Sequence, residues 1–445
     1  MTTVVPSGGE TTPANLSISP ENATIHPLGG SATFTVTYDG TDGLEAYVQK
    51  SAVDSTIDAS IAHTSGNTWT LTVTTTAEVM PATYQVIVQE VNNESVNDIV
   101  KVTVSDHNIV DGKCTICNTE FAARCDSVYF ATFNDALTYV DSHPNCTIQL
   151  LKKITAKNTR DLDLNTAFTL DLNGFTMSYA LRVFNNLTIV DNSTDHNGLV
   201  LWIDLCNGGS LTVTSGNVET LDVYGGSATL SGDQTNVVDI TAYGGSVVID
   251  GGAYHDKVQL KTTEGEEEDE NSGETIRYTG GKITVTGGEF NGAVNLYSIG
   301  GLTISGATFN SDVVAERGED GYYKDTKTLV GVLADNCAFY DTATGEIRSA
   351  DVTELLNVEV KSHEHSFDPT TGKCACGVSK FAMVTTADGA TTFYDTFYEA
   401  RDFAVRNDGC TLKLLQDYIS YDTIRIYEEC SFTLDCTGHV FQPVL

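Results

Sequence analysis

The sequence predicts an all-β protein: an N-terminal β-sandwich, then a parallel β-helix capped by a short helix, then the start of a second β-helix repeat. Three observations lead to this fold class. Apolar and polar residues alternate with period two in the first part of the chain. A Gly-Gly motif recurs in the centre at intervals of 17, 19 and 20 residues, with one interval of 36 that contains an insertion. A cysteine-containing segment recurs 260 residues further on.

The first segment, residues 10–106, has the pattern of half-buried strands. Apolar and polar side chains alternate in four short stretches, 16–19, 32–37, 69–73 and 84–88. Glycine pairs, Asp39-Gly40 and Pro81 mark turns between them. Several short strands within about 95 residues predict a β-sandwich, and residues 1–9 are interpreted as a linker.

The long-range repeat follows this segment. The matching residues are Gly112, Lys113, Cys114, Phe121 and Ala122 in the first copy, and Gly372, Lys373, Cys374, Phe381 and Ala382 in the second. Downstream of each copy, apolar residues with helical spacing follow a threonine: Phe133, Ala136, Leu137 and Val140 behind Thr132, and Phe397, Ala400 and Ala404 behind Thr396. This spacing predicts a helix with a threonine N-cap in both copies. The helix at 132–142 would cap the β-helix.

The central segment carries the shorter period. Its Gly-Gly motifs begin at Gly208, Gly225, Gly244, Gly280 and Gly300, and two short alternating strands follow each motif. A unit of about 20 residues cannot bury its own apolar face, so the units must stack. The predicted inward ladder contains Leu211, Val213, Ala228, Leu230, Val247, Ile249, Ile283, Val285, Leu302 and Ile304. Parallel stacking of such coils is a β-helix, whose open end needs a cap.

The predicted organisation has six segments. They are a linker at 1–9, the sandwich at 10–106, a Cys/His junction at 107–131, the capped β-helix at 132–362, a second Cys/His junction at 363–392 and the second repeat from 393 to 445. An acidic stretch at 264–270 lies in the long interval, and we expect it to be a mobile, solvated loop.

Two resemblances to known families follow from these patterns. The coils resemble the pectate-lyase-like right-handed parallel β-helix superfamily over roughly residues 130–345, and again from about 393. Residues 17–38 and 71–89 resemble bacterial immunoglobulin-like domains, which are spacer or adhesive modules. With the cysteine segments, the chain looks like repeat-containing surface proteins of Gram-positive gut anaerobes. The resemblance implies an extracellular or cell-surface location and host ligands: glycans, mucin or host proteins, immunoglobulin among them.

The charge of the chain argues against two classes of partner. Lysine and arginine total 24 and aspartate and glutamate total 60, which gives a net charge of −36. Such a charge repels nucleic-acid phosphates and anionic lipid. No run of 18 apolar residues occurs, so we expect no membrane insertion. The 11 cysteines are an odd number, so at least one lies outside any intramolecular disulfide.

The two junctions contain residue types that bind metals. The first offers His107, Cys114, Cys117 and Cys125, and the second offers His363, His365, Cys374 and Cys376. Four nitrogen and sulfur donors in a short segment match the donor number and type of a closed tetrahedral zinc site. Disulfides and free thiols are the alternatives. Each alternative gives the cysteines a structural role, at a junction too small to have its own core.

The outer face of the central coils is the candidate ligand site. The second strand of each coil would place two polar columns outward: Asp222, Asp239, Gln259 and Asn295 in one, and Tyr224, Thr241, Lys261 and Tyr297 in the other. We select Asp222, Tyr224, Asp239, Asn295 and Tyr297 as candidate binding residues. Stacked carboxylates, amides and tyrosines suit sugar hydroxyls or a protein surface. A solvated sheet face also carries polar residues, so that alternative stays open.

The catalytic motifs of the resembled family are not reproduced. The Asn-Thr-Asp and Gly-His-Gly motifs of polygalacturonase-like enzymes do not occur. Trp202, Ile203 and Asp204 match part of a pectate lyase stretch, but Leu205 stands where that stretch has histidine. We therefore assign no catalytic residue and expect a non-enzymatic, adhesin-like bacterial surface or secreted protein. The alternative is a polysaccharide lyase or glycoside hydrolase, which would show clustered carboxylates beside an arginine or lysine.

Overall fold

The computed structural model describes residues 14–443, apart from 28, 50–56, 76–78, 80, 116–117, 127, 156–160, 269–274, 298, 317–327 and 421–430. Strands make up 58% of these described residues, which also contain two short α-helices, and this composition confirms the all-β class. Among the described residues, no helix is long and apolar enough to cross a membrane. The chain divides into two compact units, residues 1–154 and 155–445.

The first unit begins with two four-stranded sheets. Their strands are β1 (Leu16–Ser19), β2 (Asn22–Ile25), β3 (Ser31–Tyr38), β4 (Leu44–Gln49), β5 (Ile57–Ser65), β6 (Thr68–Thr75), β7 (Ala82–Glu90) and β8 (Asn93–Val104). One sheet has the order β1-β3-β6-β5 and the other β2-β8-β7-β4. Alternate residues of both sheets, such as Phe34, Leu71, Val86 and Val100, share one hydrophobic core. The period-two pattern arises because every second side chain faces this core. The immunoglobulin-like assignment stays a prediction.

The first junction and its helix complete the unit. They contain β9 (Ile109–Val110), β10 (Lys113–Cys114), β11 (Ala123–Cys125), β12 (Val128–Phe130), α1 (Phe133–Ser142) and β13 (Thr147–Leu150). The helix forms where the spacing predicts it. Thr132 is its N-cap, and the Asp135 N–H donates to the threonine hydroxyl at 3.2 Å. Its buried residues are Phe133, Ala136 and Val140.

The second unit is mainly a parallel β-solenoid. Its strands are β14 (Leu162–Leu164), β15 (Phe168–Asp171), β16 (Thr176–Val183), β17 (Asn186–Val190), β18 (Leu199–Leu205), β19 (Ser210–Val223), β20 (Ser227–Ala242), β21 (Ser246–Tyr254), β22 (Val258–Thr262), β23 (Glu264–Glu268), β24 (Thr275–Thr279), β25 (Lys282–Phe290), β26 (Val294–Tyr297), β27 (Leu302–Ile304) and β28 (Ala307–Ala315). Apart from the β23–β24 hairpin, each of these strands pairs in parallel with a strand of a neighbouring coil. The predicted parallel β-helix is therefore confirmed.

The predicted inward ladder is also confirmed. One column runs through Leu211, Ala228, Val247, Ile283 and Leu302, and a second through Val213, Leu230, Ile249, Val285 and Ile304. All ten side chains are buried. An aromatic stack continues the core, with centroid distances of 4.4 Å between Tyr254 and Phe290 and 5.1 Å between Phe290 and Phe309.

Two features of this unit differ from the prediction. Residues 264–268 of the acidic stretch form β23, which pairs antiparallel with β24, where we expected a loop; residues 269 and 270 lie outside the described residues. The end of the predicted β-helix is antiparallel, because β28 and β29 (Cys337–Asp341) both pair antiparallel with β31 (Glu354–Ser362), and β29 also pairs with β30 (Ile347–Arg348). Antiparallel strands thus follow the last parallel coil, and the two-residue strand β30 forms a short outer edge, which limits further pairing.

The second repeat begins after this antiparallel end. It contains β32 (Ala382–Thr385), β33 (Thr391–Tyr394), α2 (Phe397–Ala404), β34 (Cys410–Leu414), β35 (Tyr418–Ser420), β36 (Phe432–Asp435) and β37 (Phe441–Pro443). Thr396 caps α2 as Thr132 caps α1, at the same 3.2 Å. Phe133 and Phe397 are each 4% exposed. Parallel pairing resumes between β34 and β36, so the same local fold is built twice.

Candidate metal centre and outer polar face

The second Cys/His junction contains a tight turn at residues 374–378. The Cys374 N–H donates to the Val378 carbonyl at 2.9 Å, and the Gly377 N–H donates to the Cys374 carbonyl at 3.0 Å. Gly377 has φ +95°, and a Cβ there would lie 2.6 Å from the backbone nitrogen of Asp351. Glycine is therefore required for both conformation and space. The Ala350 N–H donates to the Cys376 carbonyl at 2.8 Å, which ties the turn to the chain before β31.

This turn brings two thiols to two imidazoles. His363 follows β31 directly, and its Nε2 lies 3.3 Å from the Sγ of Cys374. The Nδ1 of His365 lies 3.3 Å from the Sγ of Cys376. The four potential ligand atoms all lie within 4.8 Å of one another. Among the described residues this is the one cluster of three or more histidine, cysteine or acidic side chains that could hold a metal ion.

The surroundings orient the ligands. The Tyr340 hydroxyl on β29 lies 3.2 Å from Nδ1 of His363, so the other ring nitrogen faces Cys374. A hydrogen bond at the second nitrogen is the usual way in which a ligating histidine is held in one tautomer. Cys374 and Cys376 are buried in a small cluster with Ala338. Tyr340 was missed at the sequence level, since a residue 23 positions before His363 gives no spacing signal.

The two thiols differ in acidity. Burial by itself raises the pKa of Cys374, but hydrogen bonds from the Cys376 backbone N–H and from the two histidines outweigh it and lower this pKa to about 6. Burial, together with the neighbouring Cys374 sulfur, raises the pKa of Cys376 to about 11. Both cysteines carry free thiols. The cluster therefore offers two sulfurs, of which that of Cys374 ionises more readily, and two imidazoles, a donor set that binds transition metals.

Backbone hydrogen bonds align the two junctions more accurately than sequence does. The Phe121 N–H donates to the Gly112 carbonyl, and the Lys380 N–H donates to the Gly372 carbonyl. The second copy is thus one residue shorter after its first cysteine, and Phe121 corresponds to Lys380 instead of the predicted Phe381. The residue that corresponds to Cys376 is Cys117, which lies outside the described residues.

The described ligand candidates of the first junction are His107, Cys114 and Cys125, and they contact different neighbours from those of the second junction. His107 packs its ring against Phe121 and Tyr129, at centroid distances of 4.8 and 4.9 Å. Cys114 is buried against Phe121. Cys125 contacts Cys146. Burial, and to a smaller extent the contact with Cys146, raises the pKa of Cys125. None of the three belongs to a metal-type cluster among the described residues.

His107 and the ligand histidines occupy different places in the repeat. Both His107 and Phe367 precede their Gly-Lys-Cys motif by five residues. Phe367 packs against Phe393 and under Lys380, as His107 packs against Tyr129 and Phe121. His107 therefore corresponds to Phe367. Among the described residues, a four-residue cluster is formed at the second junction. The metal prediction for the first junction stays a prediction.

The outer face carries two polar columns, with a register that differs from the prediction. One column is Trp202, Thr220, Asp239, Gln259 and Asn295, and the other is Arg182, Asp204, Asp222, Thr241, Lys261 and Tyr297. Asp222 thus lies beside Thr241, where we expected Asp239. The reason is the turn after Leu230, where the offset between paired residues of β19 and β20 increases by two.

Aromatic rings border this face. Tyr224 follows β19 and stacks on Tyr243, with centroids 4.8 Å apart and planes at 3°. Trp202 is 44% exposed, and its indole N–H donates to Asp204 at 2.8 Å. The Lys261 ammonium lies 5.5 Å from the Tyr297 ring centroid. Trp202 and Tyr243 were missed as site candidates, although Trp202 lies 20 residues before Asp222 and Tyr243 lies 19 residues after Tyr224, both close to the coil period.

Three carboxylates meet on the same face. Asp204 and Asp222 are paired positions of neighbouring strands, and Lys261 forms an ion pair with Asp239 at 3.3 Å. Burial, with the negative charges of Asp204 and Asp239, raises the pKa of Asp222 to about 6. Asp222 and Asn295 are each only 6% exposed, so their neighbours cover most of both side chains. Three clustered carboxylates beside a lysine are the feature that we expect of the enzyme alternative.

Comparisons with protein-family models, curated proteins and solved structures found no match to this chain.

Proposed function

We propose that this chain is a non-enzymatic bacterial surface or secreted protein whose solenoid presents a rigid outer face to a host ligand. The observation that carries this proposal is the set of aromatic rings beside the polar columns: exposed Trp202, the stacked pair Tyr224 and Tyr243, and Tyr297. Aromatic anchors surrounded by polar groups provide most of the binding energy at interfaces. The ligand would be a glycan, mucin or a host protein such as immunoglobulin. The N-terminal sheets would form an immunoglobulin-like spacer.

Binding of full-length variants to immobilised mucin, a glycan array and serum immunoglobulin tests this proposal. Trp202→Ala and Tyr224→Ala should each weaken capture about tenfold, the effect of losing an aromatic anchor worth more than 1 kcal/mol. Tyr47→Ala is the matched control, because Tyr47 is also 44% exposed but lies on β4. Capture that is equal in all three variants would show that the outer face is only a solvated sheet.

We propose that the four-donor cluster, whose ligand atoms lie within 4.8 Å of one another, is a structural zinc site. Zinc bonds of about 2.0–2.3 Å to nitrogen and sulfur place tetrahedral ligand atoms roughly 3.3–3.8 Å apart. The two nitrogen–sulfur contacts of 3.3 Å agree with this spacing. Zinc would join the antiparallel end of the first solenoid to the second repeat. Cobalt substitution tests this: tetrahedral Co²⁺ with thiolate ligands absorbs visible light, and Cys374→Ser should abolish that band.

A polysaccharide lyase or glycoside hydrolase is the second candidate, favoured by the carboxylate group of Asp204, Asp222 and Asp239. A carboxyl with a pKa near 6 can act as a general acid near neutral pH. Neighbouring parallel strands lie about 4.8 Å apart, close to the roughly 5–5.5 Å between the carboxyls of retaining glycosidases. A polysaccharide panel, assayed for new reducing ends and unsaturated uronates, distinguishes the candidates. Turnover that Asp222→Asn abolishes would replace the binding proposal.

A further inference from the structure

A second surface feature of the solenoid is a groove of about 370 Å³ that crosses successive coils. Its lining residues are Asn197, Leu199, Asn217, Val218, Glu219, Asn236, Val238 and Asp256. Leu199, Asn217 and Asn236 are paired positions of β18, β19 and β20, so they form one column along the solenoid. Val238 also lines the groove, whereas its neighbour Val237 pairs with Val218 and is buried.

The hydrogen bonds of Asn217 determine how the Asn236 amide is oriented. The Asn217 Nδ2 donates to the carbonyls of His196 at 3.0 Å and Gly198 at 3.1 Å. The Asn217 Oδ1 therefore faces Asn236, whose Nδ2 donates to it at 3.2 Å. This leaves the Asn236 Oδ1 as an acceptor, and no described group donates to it. Asn236 is only 8% exposed, so its Oδ1 is a buried acceptor at the groove that a bound donor would satisfy.

The other polar groups of the groove include two further hydrogen-bond acceptors, which are carboxylates. Glu219 and Asp256 contribute carboxylates, and no ion pair joins either of them to a described lysine or arginine. No lysine or arginine lines the groove, although Lys257 follows Asp256 in the chain. Leu199 and Val238 add apolar surface. The groove thus combines an apolar wall with acceptors and negative charge, which is complementary to an aliphatic stem that ends in a cation.

We propose that this groove binds a lysine side chain presented by a polypeptide partner. The methylene stem packs along Leu199 and Val238, and the ammonium donates to the Asn236 Oδ1 and to a carboxylate of Glu219 or Asp256. Three donors on one ammonium match this set of acceptors. A calcium ion suits the groove less well, because Ca²⁺ needs about six to eight oxygen ligands and two apolar side chains occupy part of the lining. The net charge of −36 attracts such a partner.

Titration of the isotope-labelled full chain with N-acetyl-lysine methylamide in 150 mM salt, followed by NMR, tests this inference. The matched probe is the same compound acetylated at Nε, which keeps the stem and loses the charge. The lysine probe should shift the Asn236 side-chain signals, and the acetylated probe should not. The variant Glu219→Gln/Asp256→Asn should bind about three- to tenfold more weakly, as expected for two partly exposed charge pairs. Glu354→Gln removes an exposed charge on β31 and should change nothing.

Several results would overturn the inference. Equal shifts with both probes would mean that the charge is not recognised. Equal affinity of the double variant and Glu354→Gln would mean that the groove carboxylates are not involved. Shifts produced by CaCl₂ alone, without a response to the lysine probe, would assign the groove to a cation. Asn236→Ala, which removes the buried acceptor, is an independent check and should weaken binding in the same range. The result is independent of the aromatic face, whose variants leave this groove intact.

Discussion

Replacing Phe290 with alanine tests whether the solenoid core consists of contacts between neighbouring coils. Phe290 is 0% exposed, between the rings of Tyr254 at 4.4 Å and Phe309 at 5.1 Å. Truncation of a buried phenylalanine costs about 3–5 kcal/mol, and two lost ring contacts move the cost to the upper part of that range. Phe290→Leu keeps most of the volume and should cost roughly 1.5 kcal/mol.

Amide hydrogen exchange measures this cost locally. A loss of about 4 kcal/mol should accelerate exchange roughly a thousandfold, because each 1.4 kcal/mol is a factor of ten. The acceleration should be largest in β21, β25 and β28 and should decrease in more distant coils, since each coil contacts only its neighbours. Two results would refute this reasoning: acceleration below tenfold, or the same acceleration in Phe290→Leu.

Two further predictions concern acidity and the repeat. Because the pKa of Asp222 rises from 3.8 to about 6 on folding, the folded chain binds a proton that the unfolded chain releases between these values. Protonation of Asp222 therefore contributes to the free energy of unfolding. This contribution is fully present below about pH 4 and is lost as the pH rises through 6, by up to about 3 kcal/mol. Thermal unfolding at pH 4 and 7 should show this loss in the wild type and not in Asp222→Asn. Since Phe133 and Phe397 are each 4% exposed, denaturant unfolding should show that alanine at either position costs about 3–5 kcal/mol. A cost confined to one of them would contradict the repeat.

The inner ladder could be predicted from the sequence because its signal is local. Leu211 and Val213 alternate with polar residues after a Gly-Gly motif, and the same pattern recurs in each coil. Stacking then follows from the need to bury one apolar face. The antiparallel end at β29–β31 could not be predicted in this way, because alternation is the same in parallel and antiparallel strands.

The strand pairing on the outer face and the candidate metal site show what residue spacing in the sequence cannot predict. Two extra residues after Leu230 move the partner of Asp222 from Asp239 to Thr241. The glycine intervals of 17 and 19 contain these two residues but do not show that they lie before the second strand of the coil. The four candidate ligands of the second junction could be selected from the sequence because they lie within 14 residues of one another, and the structure brings their side chains together. His107 was chosen for its residue type, but its backbone position corresponds to Phe367. Asn236 was missed because only the hydrogen bonds of Asn217 reveal its buried acceptor.

The zinc content of the purified full chain tests most directly whether a zinc ion joins the end of the first solenoid to the second repeat. Elemental analysis should be carried out on protein prepared without chelator, for the wild type and for Cys374→Ser/Cys376→Ser. The double variant isolates the second junction, whatever the first junction binds. We predict that it contains about one zinc per chain less than the wild type, as expected for one four-ligand site. Equal zinc content in the two proteins, with Cys374 and Cys376 oxidised to a disulfide in the wild type, would contradict the metal centre.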